Sequence, residues 1–284
     1  MAGNLPRIDR TVLISGCSTG IGRACAAGLG ERGWQVFATV RGEEDEIELA
    51  GLLGVTPVLL DVTDEESIER AKATVSAATG DRLGALVNNA GIAVGGALET
   101  VPADDLRRIL EVNVVGQVAL TQAFLPLLRA SGGKVVFVGS LGGRVAFPFA
   151  APYHASKFAI EAIGDSLRAE LRAQDVSVSI VEPGTISTPI WSKARAQVGS
   201  LRAGLAGEAA DLYDEPLDRF QERLATAEEK GEKPAKVAEV IAEAIESESP
   251  GPRYRVGRGV GSLILMRALA PARYFDLLLR RLVG

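Results

Sequence analysis

Short apolar segments alternate with helix-length segments up to about residue 182, and this rhythm constrains the fold more than any other feature. Strands that are apolar on both faces and separated by helices are typical of a parallel sheet covered by helices on both sides. Because the alternation is unbroken, we expect a single α/β domain over residues 1–284. The predicted strands are Thr11–Ser15, Gln35–Val40, Pro57–Asp61, Ala85–Asn88, Lys134–Gly139 and Val176–Glu182, and the helix-length segments include Ile21–Arg32, Glu65–Ala78, Leu106–Ala130 and Tyr153–Ala173.

The pattern changes after residue 184. Residues 185–233 are polar and Ala-rich without a strand signal, which favours a helical substrate loop acting as a lid, or a disordered segment. A helix is predicted over Pro234–Glu246, since Pro suits a first helical turn. A short strand at Arg253–Val256 follows, and the Leu/Ile spacing of Ser262–Leu282 predicts one amphipathic helix in a C-terminal extension, residues 257–284.

Composition excludes several classes of protein. With 47% hydrophobic and 24% charged residues, the chain is not disordered, collagen-like or a disulfide scaffold. A net charge of −5 argues against a nucleic-acid partner. Cys17 and Cys25 match no metal-ligand spacing, so no metal site is expected. We find no apolar leader and no run near the ~18 residues that span a bilayer, so a cytoplasmic protein is expected.

The sequence SGCSTGIG over Ser15–Gly22 joins the first strand to the first helix. Glycines at 16, 20 and 22 would let the backbone pass close to a pyrophosphate, which the N–H groups and dipole of the helix N-terminus would attract. The alternative is that these glycines form an ordinary tight turn.

Tyr153 and Lys157 are separated by four positions, which places both on one face of a helix. A phenol with an ordinary pKa near 10 is a poor acid or base at neutral pH. A neighbouring ammonium lowers that pKa and makes the tyrosine a usable proton donor or acceptor. By itself this pair is a weak pattern, and its value depends on the other motifs.

Those motifs are Asn88-Asn89-Ala90-Gly91 after the fourth strand, Asn113, Ser140 and Pro183-Gly184. With the glycine turn and the Tyr/Lys pair, they make residues 10–190 resemble the short-chain dehydrogenase/reductase family, and most of all its hydroxysteroid and retinol dehydrogenase branch. The resemblance implies a Rossmann-type fold with a parallel seven-stranded sheet. It also implies a nicotinamide dinucleotide at the carboxyl ends of the strands, and a homodimer or homotetramer.

The resemblance also implies roles for individual residues. Tyr153 would be the acid/base, Lys157 would lower its pKa and bind the nicotinamide ribose, Ser140 would hold the substrate oxygen, and Asn113 would support a water relay behind Lys157. The residues expected to contact the cofactor are Gly16, Ser18, Thr19, Gly20, Ile21, Gly22, Arg41, Asp61, Val62, Asn89, Ala90, Gly91, Tyr153, Lys157, Pro183, Gly184, Ile186 and Thr188.

The end of the second strand bears on which nicotinamide cofactor binds. Folds that prefer NAD usually carry Asp or Glu there to bind the ribose 2′-hydroxyl. Here the position holds Val40, followed by Arg41, whose guanidinium suits a 2′-phosphate. We therefore favour NADP over NAD, with a solvated Arg41 before the acidic run Glu43–Glu46 as the alternative.

Apolar residues on two segments predict a pocket for a hydrophobic alcohol, ketone or aldehyde, such as a steroid, retinoid or long-chain compound. These residues are Leu141, Val145, Phe147, Phe149, Ile190 and Trp191. For each, the alternative is a core position under a loop. For the whole chain, the alternatives are a 3-oxoacyl thioester reductase and a regulator that binds NADP(H) without turnover. For the C-terminal helix, contact with the protein itself is favoured over contact with a membrane surface.

Overall fold

A single parallel sheet organises the part of the chain that the structure, a computed structural model, describes: residues 9–283, with side chains through Leu277. Its strands are β1 Thr11–Ile14, β2 Gln35–Val40, β3 Val55–Leu59, β4 Ala85–Asn88, β5 Lys134–Val138, β6 Ser177–Pro183 and β7 Arg253–Val256. All six neighbouring pairs are parallel, in the order β3-β2-β1-β4-β5-β6-β7. The predicted seven-stranded parallel sheet is confirmed.

Helices connect the strands and cover both faces of the sheet. They are α1 Gly20–Glu31, α2 Glu43–Ala50, α3 Glu65–Thr79, α4 Ala103–Leu110, α5 Gly116–Ser131, α6 Ala151–Leu171, α7 Ile190–Ala203, α8 Glu208–Lys230, α9 Pro234–Glu246, α10 Val260–Leu269 and α11 Ala272–Val283. A π-helical turn, Glu111–Val115, joins α4 to α5, and a 3-10 turn, Leu141–Gly143, follows β5.

The central strands are apolar on both faces because each face meets a helix layer. In β1, Val12 and Ile14 pack toward the layer that contains α1 and α9, and Leu13 between them packs toward α3, α5 and α6. All three side chains are fully buried. This alternation explains why the central strands were legible in the sequence.

Several boundaries differ from the sequence prediction. The predicted helix Ser262–Leu282 is wrong as one element: it is interrupted by Pro271, which lacks an N–H, and the preceding Ala270 is extended (φ −78°, ψ 134°). The third strand runs over Val55–Leu59, and Pro57 is tolerated because β3 is an edge strand. The helix predicted to begin at Leu106 begins at Ala103. The side chains of Arg280 and Arg281 lie outside the described residues.

The segment 185–233 folds into the helical pair α7 and α8, as the predicted helical substrate loop requires, and the disordered alternative is not what the structure shows. Its two ends are joined by backbone hydrogen bonds: Ser187 N donates to Glu232 O (2.9 Å) and Glu232 N donates to Thr185 O (3.0 Å). A small apolar cluster between α7 and α8 includes Val198 and Leu217, both fully buried. The segment is therefore anchored at its base and packed internally.

One helical stretch among the described residues, Ala103–Ser131, is long and apolar enough to cross a membrane by length and composition alone. The sequence analysis had found no such segment. Leu120 and Phe124 from this stretch are fully buried against the sheet. Part of its apolar character is therefore accounted for by the core.

Candidate active site

The turn after β1 passes unusually close to the segment after β4. Gly16 has φ +73°, and a Cβ on it would lie 2.8 Å from the Ala90 Cα. Neither the backbone angle nor this approach admits a larger residue at position 16 without displacement. From the other side, the Thr39 hydroxyl accepts a hydrogen bond from Gly16 N (3.2 Å), and Thr39 O accepts one from Cys17 N (2.7 Å).

Asn89 stabilises this turn by hydrogen bonds. Its Nδ2 donates to Ser15 O and to Gly16 O, both at 2.9 Å. The Ser15 hydroxyl accepts hydrogen bonds from the backbone N–H groups of Asn89 (2.9 Å) and Ala90 (3.0 Å). These bonds join Asn89 to the end of β1 and to the turn, and its predicted contact with the cofactor stays a prediction. Sequence reasoning missed Ser15, whose signal is a hydroxyl at the end of a buried strand.

The glycine turn fits a dinucleotide. Helix α1 begins at Gly20, and the preceding Thr19 makes no side-chain hydrogen bond that would cap the helix. The first N–H groups of α1 are therefore free of a side-chain cap, and a helix N-terminus of this kind attracts a phosphate group. Thr188, which is buried, lies against this turn: a Cβ on Gly20 would be 3.1 Å from the Thr188 Cγ2. The segment after Pro183-Gly184 thus meets the turn, as the predicted contact set requires.

The ends of β2 and β3 lie beside the turn. Val40 is buried in the core, whereas Arg41 is exposed. Asp61 accepts hydrogen bonds from Thr63 N (2.9 Å) and the Thr63 hydroxyl (2.7 Å). Partial burial raises the pKa of Asp61, but these hydrogen bonds and the charge of Arg41 outweigh it, so the pKa is lower than usual. Asp61 therefore carries a negative charge near Arg41.

Ser140 and Tyr153 meet beyond the carboxyl end of β5. Ser140 precedes the 3-10 turn, and its hydroxyl accepts a hydrogen bond from Gly142 N (3.0 Å). The same hydroxyl lies within hydrogen-bonding reach of the half-buried Tyr153 phenol. Burial raises the pKa of Tyr153, and Ser140 offsets this rise only in part. The phenol is therefore protonated at neutral pH.

Lys157 lies one helical turn after Tyr153 on α6. Its Nζ is 5.9 Å from the centre of the Tyr153 ring and donates a hydrogen bond to Val138 O (2.8 Å). Burial lowers the pKa of Lys157 to about 8, although the charge of Glu161 raises it. The expected lowering of the Tyr153 pKa by Lys157 is not what this structure shows, because burial dominates and the ammonium is bound to a carbonyl.

Asn113 lies in the π-helical turn and is fully buried. Its Oδ1 accepts from Ile92 N (2.8 Å), and its Nδ2 donates to Ile92 O (2.9 Å) and to the Ser156 hydroxyl (3.0 Å). The Ser156 hydroxyl in turn donates to Tyr153 O (2.7 Å). Asn113 thus connects the segment after β4 to helix α6 next to Tyr153. Its predicted part in a water relay stays a prediction.

The predicted substrate residues divide into three groups. Phe149 and Trp191 pack onto the α7–α8 cluster, with the Phe149 ring 5.9 Å from that of Phe220, and Trp191 Nε1 donates to Ile186 O (2.6 Å). Val145 is fully buried, which fits the core alternative. Those that remain half-buried near the site are Leu141, Phe147 and Ile190.

His154, which lies between Tyr153 and Lys157 in the sequence, is buried against the turn that follows Ser140. Its Nδ1 lies 3.0 Å from Gly142 O, in the 3-10 turn that follows Ser140. Its ring packs 5.9 Å from the Tyr153 ring and 5.7 Å from the Phe147 ring, centre to centre. Burial lowers its pKa, so it is neutral and supports the turn from below.

The comparisons with known proteins agree with this geometry. The short chain dehydrogenase family model matches residues 10–199. Retinol dehydrogenase 5 of Mus musculus is 34% identical over 97% of this chain and 89% of its own length. The NADPH-dependent 3-dehydrocapnine reductase of Ornithobacterium rhinotracheale is 36% identical over 75% of this chain and 78% of its own length.

Solved structures share the fold. A short-chain dehydrogenase from Streptomyces avermitilis superposes with a TM-score of 0.75 at 30% identity, covering 96% of this chain and 94% of that one. A Burkholderia phymatum chain crystallised with NAD gives a TM-score of 0.78 at 22% identity, covering 97% and 96%. The chain belongs to the short-chain dehydrogenase/reductase family. It is an oxidoreductase that acts on alcohols or carbonyls with a nicotinamide nucleotide.

The glycine turn yields a matched pair of variants. Gly16→Ala forces a side chain onto a left-handed backbone and into the Ala90 backbone, so we expect nucleotide affinity to fall by about 10-fold or more. Gly28→Ala on α1 meets no atom within 4 Å and stabilises the helix by about 0.5–1 kcal/mol. NADPH fluorescence titration of both variants measures the effect. Equal affinities would contradict the importance of the close approach.

Proposed function

We propose that this chain is an NADP(H)-dependent oxidoreductase that interconverts a secondary alcohol and a ketone, or an aldehyde, on a hydrophobic substrate such as a steroid, retinoid or long-chain compound. The observation that carries the proposal is the meeting of Ser140, Tyr153 and Lys157 at the ends of β5 and α6. Each brings a different capacity: a hydroxyl that orients, a phenol that holds a proton and a buried ammonium.

In carbonyl reduction, the Tyr153 phenol would give its proton to the substrate oxygen, and the Ser140 hydroxyl would hold that oxygen in place. Burial raises the pKa of Tyr153 and keeps the phenol protonated at neutral pH, so a proton is present for this donation. The Lys157 ammonium would stabilise the phenolate that remains and bind the nicotinamide ribose. The bound nucleotide supplies the hydride. In alcohol oxidation the proton moves in the opposite direction.

The preference for NADP rests on the end of β2. Val40 places no carboxylate where a 2′-phosphate would be repelled, and exposed Arg41 offers a guanidinium. Arg41 takes part in none of the ion pairs found among residues 9–277. One relative is described as NADPH-dependent, which agrees with this reading. The preference for NADP over NAD is therefore tested at Arg41.

The preference for an apolar substrate rests on the helical pair α7–α8. Phe149 and Trp191 are only half-buried where they pack against the inner cluster of this pair, which we call the cap, and Phe149 precedes Tyr153 by four residues. Apolar surface near the site suits an apolar substrate. Similarity to a retinol dehydrogenase supports the same class. A 3-oxoacyl thioester reductase is the second candidate, because it would use the same catalytic residues.

The assembly proposed is a homodimer or homotetramer in the cytoplasm, through the helices α5 and α6. Val115, just before α5, and Phe158 on α6 are 50% and 43% exposed, which leaves apolar surface on both elements for a second copy.

Replacing the proposed acid tests the mechanism. Tyr153→Phe removes the proton and keeps the ring, so turnover falls by about 10²–10⁴-fold while NADPH affinity stays within a few-fold. Tyr274→Phe, on an exposed tyrosine of α11, is the matched control and retains full activity. Steady-state rates and NADPH fluorescence measure the two properties. Full turnover by Tyr153→Phe would contradict the proposed mechanism.

Replacing Arg41 tests the cofactor. Arg41→Ala removes a charge-assisted contact to the 2′-phosphate, so KM for NADPH rises by about 10-fold or more and that for NADH is unchanged. Arg172→Ala, on an exposed arginine after α6, changes neither value. The measurement is a KM determination with each nucleotide. An equal effect on NADPH and NADH contradicts a 2′-phosphate contact.

A carbonyl panel tests the substrate class. NADPH oxidation is followed against small ketones, medium-chain ketones, acyl thioesters, retinal and ketosteroids. We expect the highest kcat/KM with retinal or ketosteroids, because the cap offers apolar surface. Preference for acyl thioesters supports the second candidate. Binding of NADPH without turnover of any carbonyl supports a regulator instead.

A further inference from the structure

A buried group of charges lies beneath the catalytic residues. The side chains of Glu182 and Glu161 are 0% and 8% exposed. Arg144 lies 3.1 Å from Glu182 and 3.6 Å from Glu161, and Arg253 lies 3.0 Å from Glu161 and 3.3 Å from Glu182. We call these four residues the ion cluster. Buried carboxylates are retained in a fold only when cations and hydrogen bonds offset their desolvation, as they are here.

Three members of the ion cluster belong to segments that carry the site, and the fourth, Arg253, lies on β7. Glu161 follows Lys157 by one turn of α6 and Tyr153 by two. Arg144 comes directly after the 3-10 turn that begins beside Ser140. Glu182 directly precedes Pro183 at the end of β6. The ion cluster therefore connects helix α6, the 3-10 turn after Ser140, which we call the serine turn, and the loop after β6 to one another.

Glu161 lies closest to the reacting groups. Its Oε2 binds both arginines, while its Oε1 is buried without a hydrogen-bond partner among the described residues. That Oε1 is directed at the serine turn, since a Cβ on Gly139 would be 3.2 Å from it. A Cβ on Gly143 would be 3.1 Å from the Glu161 Cγ. An unpaired buried carboxylate oxygen is costly, so packing alone does not explain a glutamate here.

We propose that Glu161 is a positioning residue that keeps the Lys157 ammonium charged and holds the serine turn against α6. This inference rests on the proposed function of Lys157 and Tyr153. Glu161 acts through Lys157 and the turn, and it touches no reacting atom.

The direction in which Glu161 shifts the pKa of Lys157 agrees with this role. Burial lowers the pKa of Lys157 to about 8, and Glu161 is the charge that raises it. Loss of Glu161 would remove this favourable charge and so lower that pKa further. The pKa of Glu161 is itself raised by burial and by Glu182, and Arg253 and Arg144 lower it in part.

Further charged groups surround the ion cluster. Asp165 on α6 binds Arg253 at 2.7 Å and is 44% exposed, and Arg255 on β7 reaches Glu182 at 3.3 Å. His154 is buried and neutral beside Tyr153. Glu161 therefore stabilises the charged form of Lys157 only above the pKa of Glu161, where the carboxylate is charged. This stabilisation is lost as the pH rises through about 8, where Lys157 loses its proton.

The test compares Glu161→Gln with Asp165→Asn. Both remove a carboxylate bound to Arg253 from the same helix, but only Glu161 lies one turn from Lys157 and raises its pKa, whereas Asp165 lies two turns away. For Glu161→Gln we expect the alkaline fall in the rate of carbonyl reduction to move down by about one pH unit, and for Asp165→Asn no movement. Titration of the Lys157 Cε by NMR, in lysine-labelled protein assigned with Lys157→Arg, follows the same midpoint without turnover.

The outcomes separate the two proposals. An unmoved NMR midpoint in Glu161→Gln, with activity lowered equally at every pH, overturns the positioning role and leaves a structural one. If Glu161→Gln does not fold, Glu161→Asp, which withdraws the carboxylate by one methylene, must show a smaller downward shift, and no shift overturns the inference. A moved midpoint in a protein that turns over no carbonyl contradicts the proposed function alone.

Discussion

The site depends on one close approach of backbone to backbone. The turn after β1 touches the segment after β4 at Gly16 and Ala90, and Asn89 and Ser15 hold the two together by hydrogen bonds. Because the strands are parallel, their carboxyl ends lie at the same edge of the sheet, and a contact between two turns there fixes the floor of the nucleotide site. The serine turn and α6 are then placed by the next strands in order, β5 and β6.

Much of this could be predicted from the sequence because the central strands are apolar on both faces. That pattern located six strands, and the glycine turn, Ser140, Tyr153 and Lys157 were legible at fixed spacings. The edge strand β3 was less legible, since one face is solvated and Pro57 disturbs the pattern. Pro271 was a local sign that a helix ends there, but the Leu/Ile periodicity on both sides of it favoured one continuous helix. The helices α7 and α8 were foreseen only as a helical loop without bounds, because they pack mainly on each other.

The electrostatic character of the site was beyond the sequence. Arg144, Glu161, Glu182 and Arg253 are far apart along the chain, and each reads alone as an ordinary charge. Only the fold shows that the two carboxylates are buried and shared between two arginines. The direction of the Tyr153 pKa likewise depends on burial, which no spacing reveals. Spacing identified the chemically active residues, and tertiary contacts decide their charge.

The backbone pairing at the base of residues 185–233 has a further consequence. Since backbone hydrogen bonds between Ser187 and Glu232 join the ends of the segment, its chain leaves and re-enters the rest of the fold at one place, and the cost of closing such a loop grows slowly with its length. The helical pair carries its own small core and also contacts the segment after β4, where Gln197 Oε1 accepts a hydrogen bond from Gly95 N (3.2 Å). Under the proposed function, substrate choice and catalytic chemistry are carried by different parts of one chain. The outer face of the helical pair can then change in sequence while the proposed proton-handling residues stay the same.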